Sequence, residues 1–276
     1  AMPRIALSLL LCLACALPAH AVALRDIAYG PDPEQRYDLY LPAPTRSVPA
    51  ILMVHGGGWY RGDKDMGRVV DNKQLHWVPL GVAFATTNYR MQPKAPPLEQ
   101  ARDVARALAD LQRNPSIAPE SVVLMGHSAG AHLIALLASR PELLAEAGAK
   151  PPRGYVLLDS GALDVPEIMN RRHARLYDRA FGSNPADWLA TSPLHQLRQA
   201  PAPLLVVCST RRADACPQGR AFADKVHNLS GRAEVLPLDK THGEINYQLG
   251  EDADYTKQVE NFLSGLWPAF ARRRDD

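Results

Sequence analysis

Residues 121–138 run Ser121-Val-Val-Leu-Met-Gly-His-Ser-Ala-Gly-Ala-His-Leu-Ile-Ala-Leu-Leu-Ala138. Val122 to Met125 is a short apolar run of the kind a buried parallel strand carries. Ala131 to Ser139 is rich in Ala and Leu, the strongest helix formers. Between them stands Gly126-His127-Ser128-Ala129-Gly130, a Gly-x-Ser-x-Gly pattern joining a strand to a helix, as a nucleophile elbow requires. So sharp a turn forces its central residue into a sparsely allowed backbone region, at a cost of about 1–3 kcal/mol. Glycines on either side remove the side chains that would collide there. The hydroxyl is thereby held above a sheet edge, beside the unpaired N–H groups of a helix N-terminus. Ser128 is the candidate nucleophile.

Working outward, the chain alternates strand and helix signals. Arg25 to Tyr29 and Arg36 to Leu41 alternate polar and apolar residues as antiparallel strands do. Gly30-Pro31-Asp32-Pro33 between them predicts a hairpin. Ala50 to His55, Gly81 to Asn88, Gly154 to Asp159, Pro203 to Ser209 and Ala233 to Leu238 read as further strands. Leu98 to Gln112 shows helical spacing and ends at Asn114-Pro115. Pro217 to Leu229 and a closing segment from about Asp252 to Phe270 are also predicted helices. Such alternation implies one α/β domain over residues 22–276, with a mainly parallel sheet, right-handed crossovers and an antiparallel N-terminal edge. Residues 164–200 break the rhythm, and a connection that long between two strands predicts a small cap over the site.

Composition narrows the function classes. The net charge of +2 gives no basic field for nucleic acid, and no Lys/Arg stripe with interleaved aromatics is present. The run Arg272-Arg273-Arg274 reads as a solvated tail. Met2-Pro-Arg, the apolar run Ile5 to Leu17 and Pro18-Ala-His-Ala21 together have the form of a secretory signal peptide over residues 1–21. Cleavage is expected after Ala21, with Ala23 the alternative, and a lipoprotein at Cys15 is disfavoured by Cys12 at the position of a branched aliphatic residue. The apolar run is too short to span a bilayer, so no integral membrane segment is expected in the mature chain, which would be periplasmic or secreted. Export would leave Cys208 and Cys216, an even pair in an oxidising compartment and hence a candidate disulfide; two free thiols are the alternative.

A serine hydroxyl needs a base to take its proton and a third group to orient that base. Of the histidines after Ser128, His132 lies one helical turn on and reads as packed, His173 and His195 fall in the insertion, and His227 is on a helix. His242, in Thr241-His-Gly243 after the last strand, stands where sites of open α/β sheets gather. The acid is expected at Asp214, on the loop after the Leu204–Cys208 strand, with Asp159 and Asp164 as rivals. A bridge between Cys208 and Cys216 would clamp that loop. His55-Gly-Gly-Gly-Trp59 supplies close-approaching backbone donors, so Gly57, Gly58 and the N–H of Ala129 are candidates for an oxyanion hole. The Gly run lacks the Lys-Ser/Thr of a phosphate loop. Trp59, His127 and Trp188 are the candidates for touching substrate. Without a His-Glu-x-x-His or a Cys/His cluster at zinc spacing, neither metal nor cofactor is expected.

Four stretches, Tyr37-Asp-Leu-Tyr-Leu-Pro42, His55-Gly-Gly-Gly-Trp-Tyr-Arg-Gly-Asp-Lys64, Gly126-His-Ser-Ala-Gly130 and His242-Gly-Glu-Ile-Asn246, resemble in order the α/β-hydrolase superfamily. Within it they are most similar to the branch of feruloyl/acetyl-xylan esterases and kynurenine formamidases, related to hormone-sensitive-lipase-like carboxylesterases. His127 stands where the lipase-like enzymes usually have Asp, which favours the feruloyl/formamidase side. The resemblance implies a Ser128–Asp214–His242 triad, an oxyanion hole at Gly57, Gly58 and Ala129, and hydrolysis of small to medium acyl or aryl esters. An amidase or formamidase with the same triad, and a non-catalytic hydrolase-like binding protein, are the alternatives.

Overall fold

The computed structural model describes residues 22–43 and 47–267; the expected leader over residues 1–21 and the tail arginines lie outside them. Eight strands form one sheet: β1 (Val22–Ala28), β2 (Arg36–Leu41), β3 (Val48–Val54), β4 (Ala83–Thr87), β5 (Ile117–His127), β6 (Gly154–Leu158), β7 (Leu204–Ser209) and β8 (Ala233–Leu238). Their order across the sheet is β1-β2-β4-β3-β5-β6-β7-β8. The β1–β2 hairpin and the β2–β4 pair are antiparallel, and every pairing from β4 to β8 is parallel.

Eleven helices are found among the described residues: α1 (Gly67–Trp77), α2 (Pro97–Arg113), α3 (Ala129–Ser139), α4 (Pro141–Glu146), α5 (Val165–Met169), α6 (Arg175–Phe181), α7 (Pro185–Ala190), α8 (Pro193–Gln196), α9 (Ala215–Asn228), α10 (His242–Tyr247) and α11 (Ala253–Leu266). They cover both faces of the sheet, and the strands are apolar on both faces for that reason. Leu52 and Val54 of β3 pack into one core with α2, α3 and α9. Ile51 and Met53, pointing the other way, join a second core with α1 and α11. Among the described residues no helix is long and apolar enough to cross a membrane.

The topology fixes where a site can form. The chain leaves β3 outward to β4 and then returns to β3's other side as β5. The direction of winding thus reverses at β3, and crevices open beyond the carboxyl ends of strands at such a point. Val54 of β3 is paired with Gly126 of β5, so the Gly run after β3 and the elbow after β5 emerge side by side. Residues 164–200 fold as four short helices, α5 to α8.

Candidate active site

Ser128 joins β5 to α3 with φ 55° and ψ −118°, a left-handed conformation unusual for a residue with a side chain. The two glycines are required by contact. A Cβ on Gly126 would stand 2.6 Å from the carbonyl of Gly130, and one on Gly130 would collide with the Val54 oxygen. The Ser128 N–H donates to the Leu158 oxygen at 2.9 Å, which fastens the elbow to β6.

The Gly run curls by positive φ at Gly57, Gly58 and Trp59 (119°, 62° and 65°). Its turn closes through the Tyr60 and Arg61 N–H groups donating to the Gly57 oxygen. Trp59 is 3% exposed and anchors the loop, its Nε1 donating to Nδ1 of His132 at 3.1 Å. His132 in turn donates from Nε2 to the Thr191 oxygen at 2.8 Å. Burial pushes His132 down to about 4, so it is the packed, neutral histidine expected at that position. Gly57, Gly58 and Ala129, at the N-terminus of α3, all line one cavity of about 590 Å³ together with Ser128 and His242.

The carboxylate that meets His242 is where the structure departs from expectation. His242, at the start of α10, donates from Nδ1 to Oδ2 of Asp159 at 2.6 Å. Asp214 instead pairs with Arg171 at 2.6 Å, its side chain 40% exposed. The reason is topological: β6 lies directly beside the elbow strand, and Asp159 is the first residue beyond it. Asp214 stands five residues past the end of β7 and turns outward at the head of α9. Asp159 is fully buried, has φ 57°, and also accepts from the Ser209 N–H at 2.7 Å. Burial opposes its ionisation, but the hydrogen bond from His242, the charge of Arg212 and the Ser209 N–H outweigh it and hold the carboxyl at about 2.

Arg212 completes the group. Its Nη1 donates to the Asp159 backbone oxygen at 2.8 Å and to Oδ2 at 2.9 Å. It lies 3.2 Å from His242 Nδ1, two donors converging on one carboxylate oxygen. Cys208 and Cys216 are bonded to each other and close the segment that carries Arg212. The clamped loop therefore delivers a guanidinium to the His242–Asp159 pair, and not the carboxylate expected from it.

His127 lines the cavity, but its Nε2 donates to the His242 backbone oxygen at 2.8 Å, and the two rings stand 4.4 Å apart. Burial, followed by the neighbouring His242, pushes it down to about 3, so it is a neutral donor holding the first turn of α10. Trp59 is in the cavity wall; Trp188 is not, its Nε1 donating to the Gly182 oxygen within the insertion. Leu176 and Tyr177 of α6 form the insertion's side of the cavity. Arg212 was missed by the sequence reading, although Ser209-Thr-Arg-Arg-Ala at a strand's carboxyl end, where sites gather, marks it as a candidate.

Comparison with known proteins bears on the fold. Residues 37–147 match the family model described as BD-FAE. Isoprenylcysteine alpha-carbonyl methylesterase of Arabidopsis thaliana is 27% identical over 248 residues, 81% of this chain and 57% of that protein. Kynurenine formamidase of Danio rerio is 28% identical over 149 residues, 53% of this chain and 48% of that protein. The chain thus spans about half the length of these curated relatives. Esterase B from Lactobacillus Rhamnosis superposes with a TM-score of 0.71 at 20% identity, covering 92% of this chain and 87% of that one. The fold is that of the α/β-hydrolases.

Proposed function

We propose that this α/β-hydrolase chain is a serine hydrolase of carboxylic esters, with Ser128 as nucleophile, His242 as base and Asp159 as the acid that orients it. The observation that carries the reading is the arrangement around one cavity: a strained serine at a helix N-terminus, and a histidine locked to a buried, ionised carboxylate. His242 would take the Ser128 proton as Oγ attacks the ester carbonyl carbon. The N–H groups of Gly57, Gly58 and Ala129 would hold the resulting oxyanion. As the intermediate collapses, the C–O bond to the alcohol breaks and His242 returns its proton to the departing oxygen. Water, deprotonated by His242, then attacks the acyl-serine and releases the carboxylic acid. Asp159 stays ionised throughout and fixes the proton on Nδ1, which leaves Nε2 free as acceptor. Small to medium acyl or aryl esters are the proposed substrates.

The test is active-site labelling with a fluorophosphonate and mass-spectrometric mapping, beside turnover of a 4-nitrophenyl ester series and N-formylkynurenine. Label at Ser128 with ester turnover, both abolished in a folded Ser128→Ala variant, supports the assignment; turnover is expected to fall by several powers of ten. Turnover of the formamide alone would favour the second reading, which the formamidase relative motivates. A folded protein that takes no label would be a hydrolase-like binding protein. The leader-like residues 1–21 and the Cys208–Cys216 bridge further support export to an oxidising compartment. Cell fractionation tests that, and recovery of the chain only from cytoplasm with both thiols free would refute it.

A further inference from the structure

The cavity wall holds three arginines, Arg61, Arg68 and Arg212, and no aspartate or glutamate among the described residues. Arg212 is neutralised by Asp159 at 2.9 Å. Arg61 and Arg68 have no carboxylate within ion-pair distance among the described residues, and two of the acids on the insertion and on the loop after β7 are held by other partners. Asp178 is taken by His173, and Asp214 by Arg171. Arg179, reaching across from α6, lies over the Tyr60 ring at 4.2 Å, and Arg61 lies near the same ring at 5.4 Å. Tyr60 is itself in the cavity wall, so two guanidiniums meet at its ring, one from the Gly-run loop and one from the insertion.

We propose that this rim selects esters carrying a carboxylate on the leaving-group side, bound by Arg61 and Arg68 while the scissile carbonyl lies at Ser128. The inference rests on the esterase reading of Ser128 and adds the charge of its substrate. A cleft lined by one sign of charge concentrates ligands of the other sign. The guanidinium fork matches a carboxylate by paired hydrogen bonds, which a neutral ester cannot use. The chain's overall charge of +2 is too small to produce such a field, so the preference is a property of the rim. Esters of acidic phenols, hydroxy acids or uronic acid units share this chemistry.

The experiment compares 4-acetoxybenzoate with 4-acetoxybenzamide, which have nearly the same shape and differ by one charge. The ratio of their kcat/KM values is measured for the full chain and for Arg61→Gln/Arg68→Gln, at low and at high sodium chloride. The expected result is a ratio that favours the anion, falls as salt rises, and drops about tenfold in the double variant. An equal ratio in both proteins, insensitive to salt, overturns the proposal. Because the benzamide ester is an independent readout, its turnover with Ser128 labelled leaves the esterase reading standing while the charge preference fails. Loss of both turnover and label in wild-type protein would instead bring down the esterase reading on which the preference depends.

Discussion

At Asp159 burial and pairing act in opposite directions, and pairing wins. The carboxyl, held at about 2 against an ordinary 3.8, is ionised wherever the protein is folded near neutrality. Replacing it by Asn should leave His242 without its orienting acceptor and cut kcat by about 10³–10⁴-fold, whereas Asp214→Asn should change kcat little; steady-state kinetics on a 4-nitrophenyl ester separates them. The same shift has a stability consequence. A depressed folded pKa contributes stability that is fully present above the unfolded value and is lost as pH falls from about 3.8 toward about 2. The amount is on the order of 2 kcal/mol, so the gap in urea stability between wild type and Asp159→Asn should narrow over that window. The placement of Ser128 and His242 on one cavity was legible because a tight turn and a strand's end leave local marks. The carboxylate that meets His242 was not: choosing among Asp159, Asp164 and Asp214 needs the lateral order of strands, and no short-range pattern encodes it.

Two connections between elements hold His242 and its neighbours in place. The first runs from β5 to α10, where the neutral His127 donates to the His242 oxygen. His127→Phe keeps the ring volume and removes the donor, so α10's first turn should loosen; displacement of this kind costs about 10²-fold, read as lower kcat with fluorophosphonate labelling slowed in parallel. The second is the covalent link from β7 to α9, with both sulfurs buried and a sequence separation of 8. Replacing both cysteines by Ala should cost about 2–3 kcal/mol by loop-closure entropy, measured by urea denaturation. If the link also positions Arg212, activity should fall more steeply with temperature than in wild type. The sequence pointed to the bridge through cysteine count and the leader-like form of residues 1–21. What the bridged loop carries to the site could not be read, because it depends on which of two consecutive arginines turns inward.

Across the whole molecule, the strands and the longer helices were readable because burial on both faces leaves continuous apolar runs, as in β3, β5 and β7. α1 was not, for an instructive reason. Its buried positions are Val69, Val70, Lys73 and Trp77, so a lysine interrupts the apolar stripe. Lys73 is 1% exposed and spans from α1 to the far end of α10, its Nζ donating to the Asn246 backbone oxygen at 2.6 Å and to Oδ1 at 3.0 Å. Asn246 faces the cavity, so this buried ammonium connects one flank of the sheet to the floor of the site. Burial pushes Lys73 down to about 7 from 10.5. A base with a lowered folded pKa holds fewer protons folded than unfolded between those values, so the protein should become more stable as pH rises from about 7 toward 10.5. The two Asn246 acceptors favour the charged form and reduce the gain, leaving a rise on the order of 1–2 kcal/mol. Lys73→Met should abolish that rise, since no proton is exchanged at the position. Urea denaturation of both proteins at pH 7 and pH 9 makes the comparison: equal slopes with pH would mean that the acceptors cancel the burial completely and that Lys73 is charged throughout.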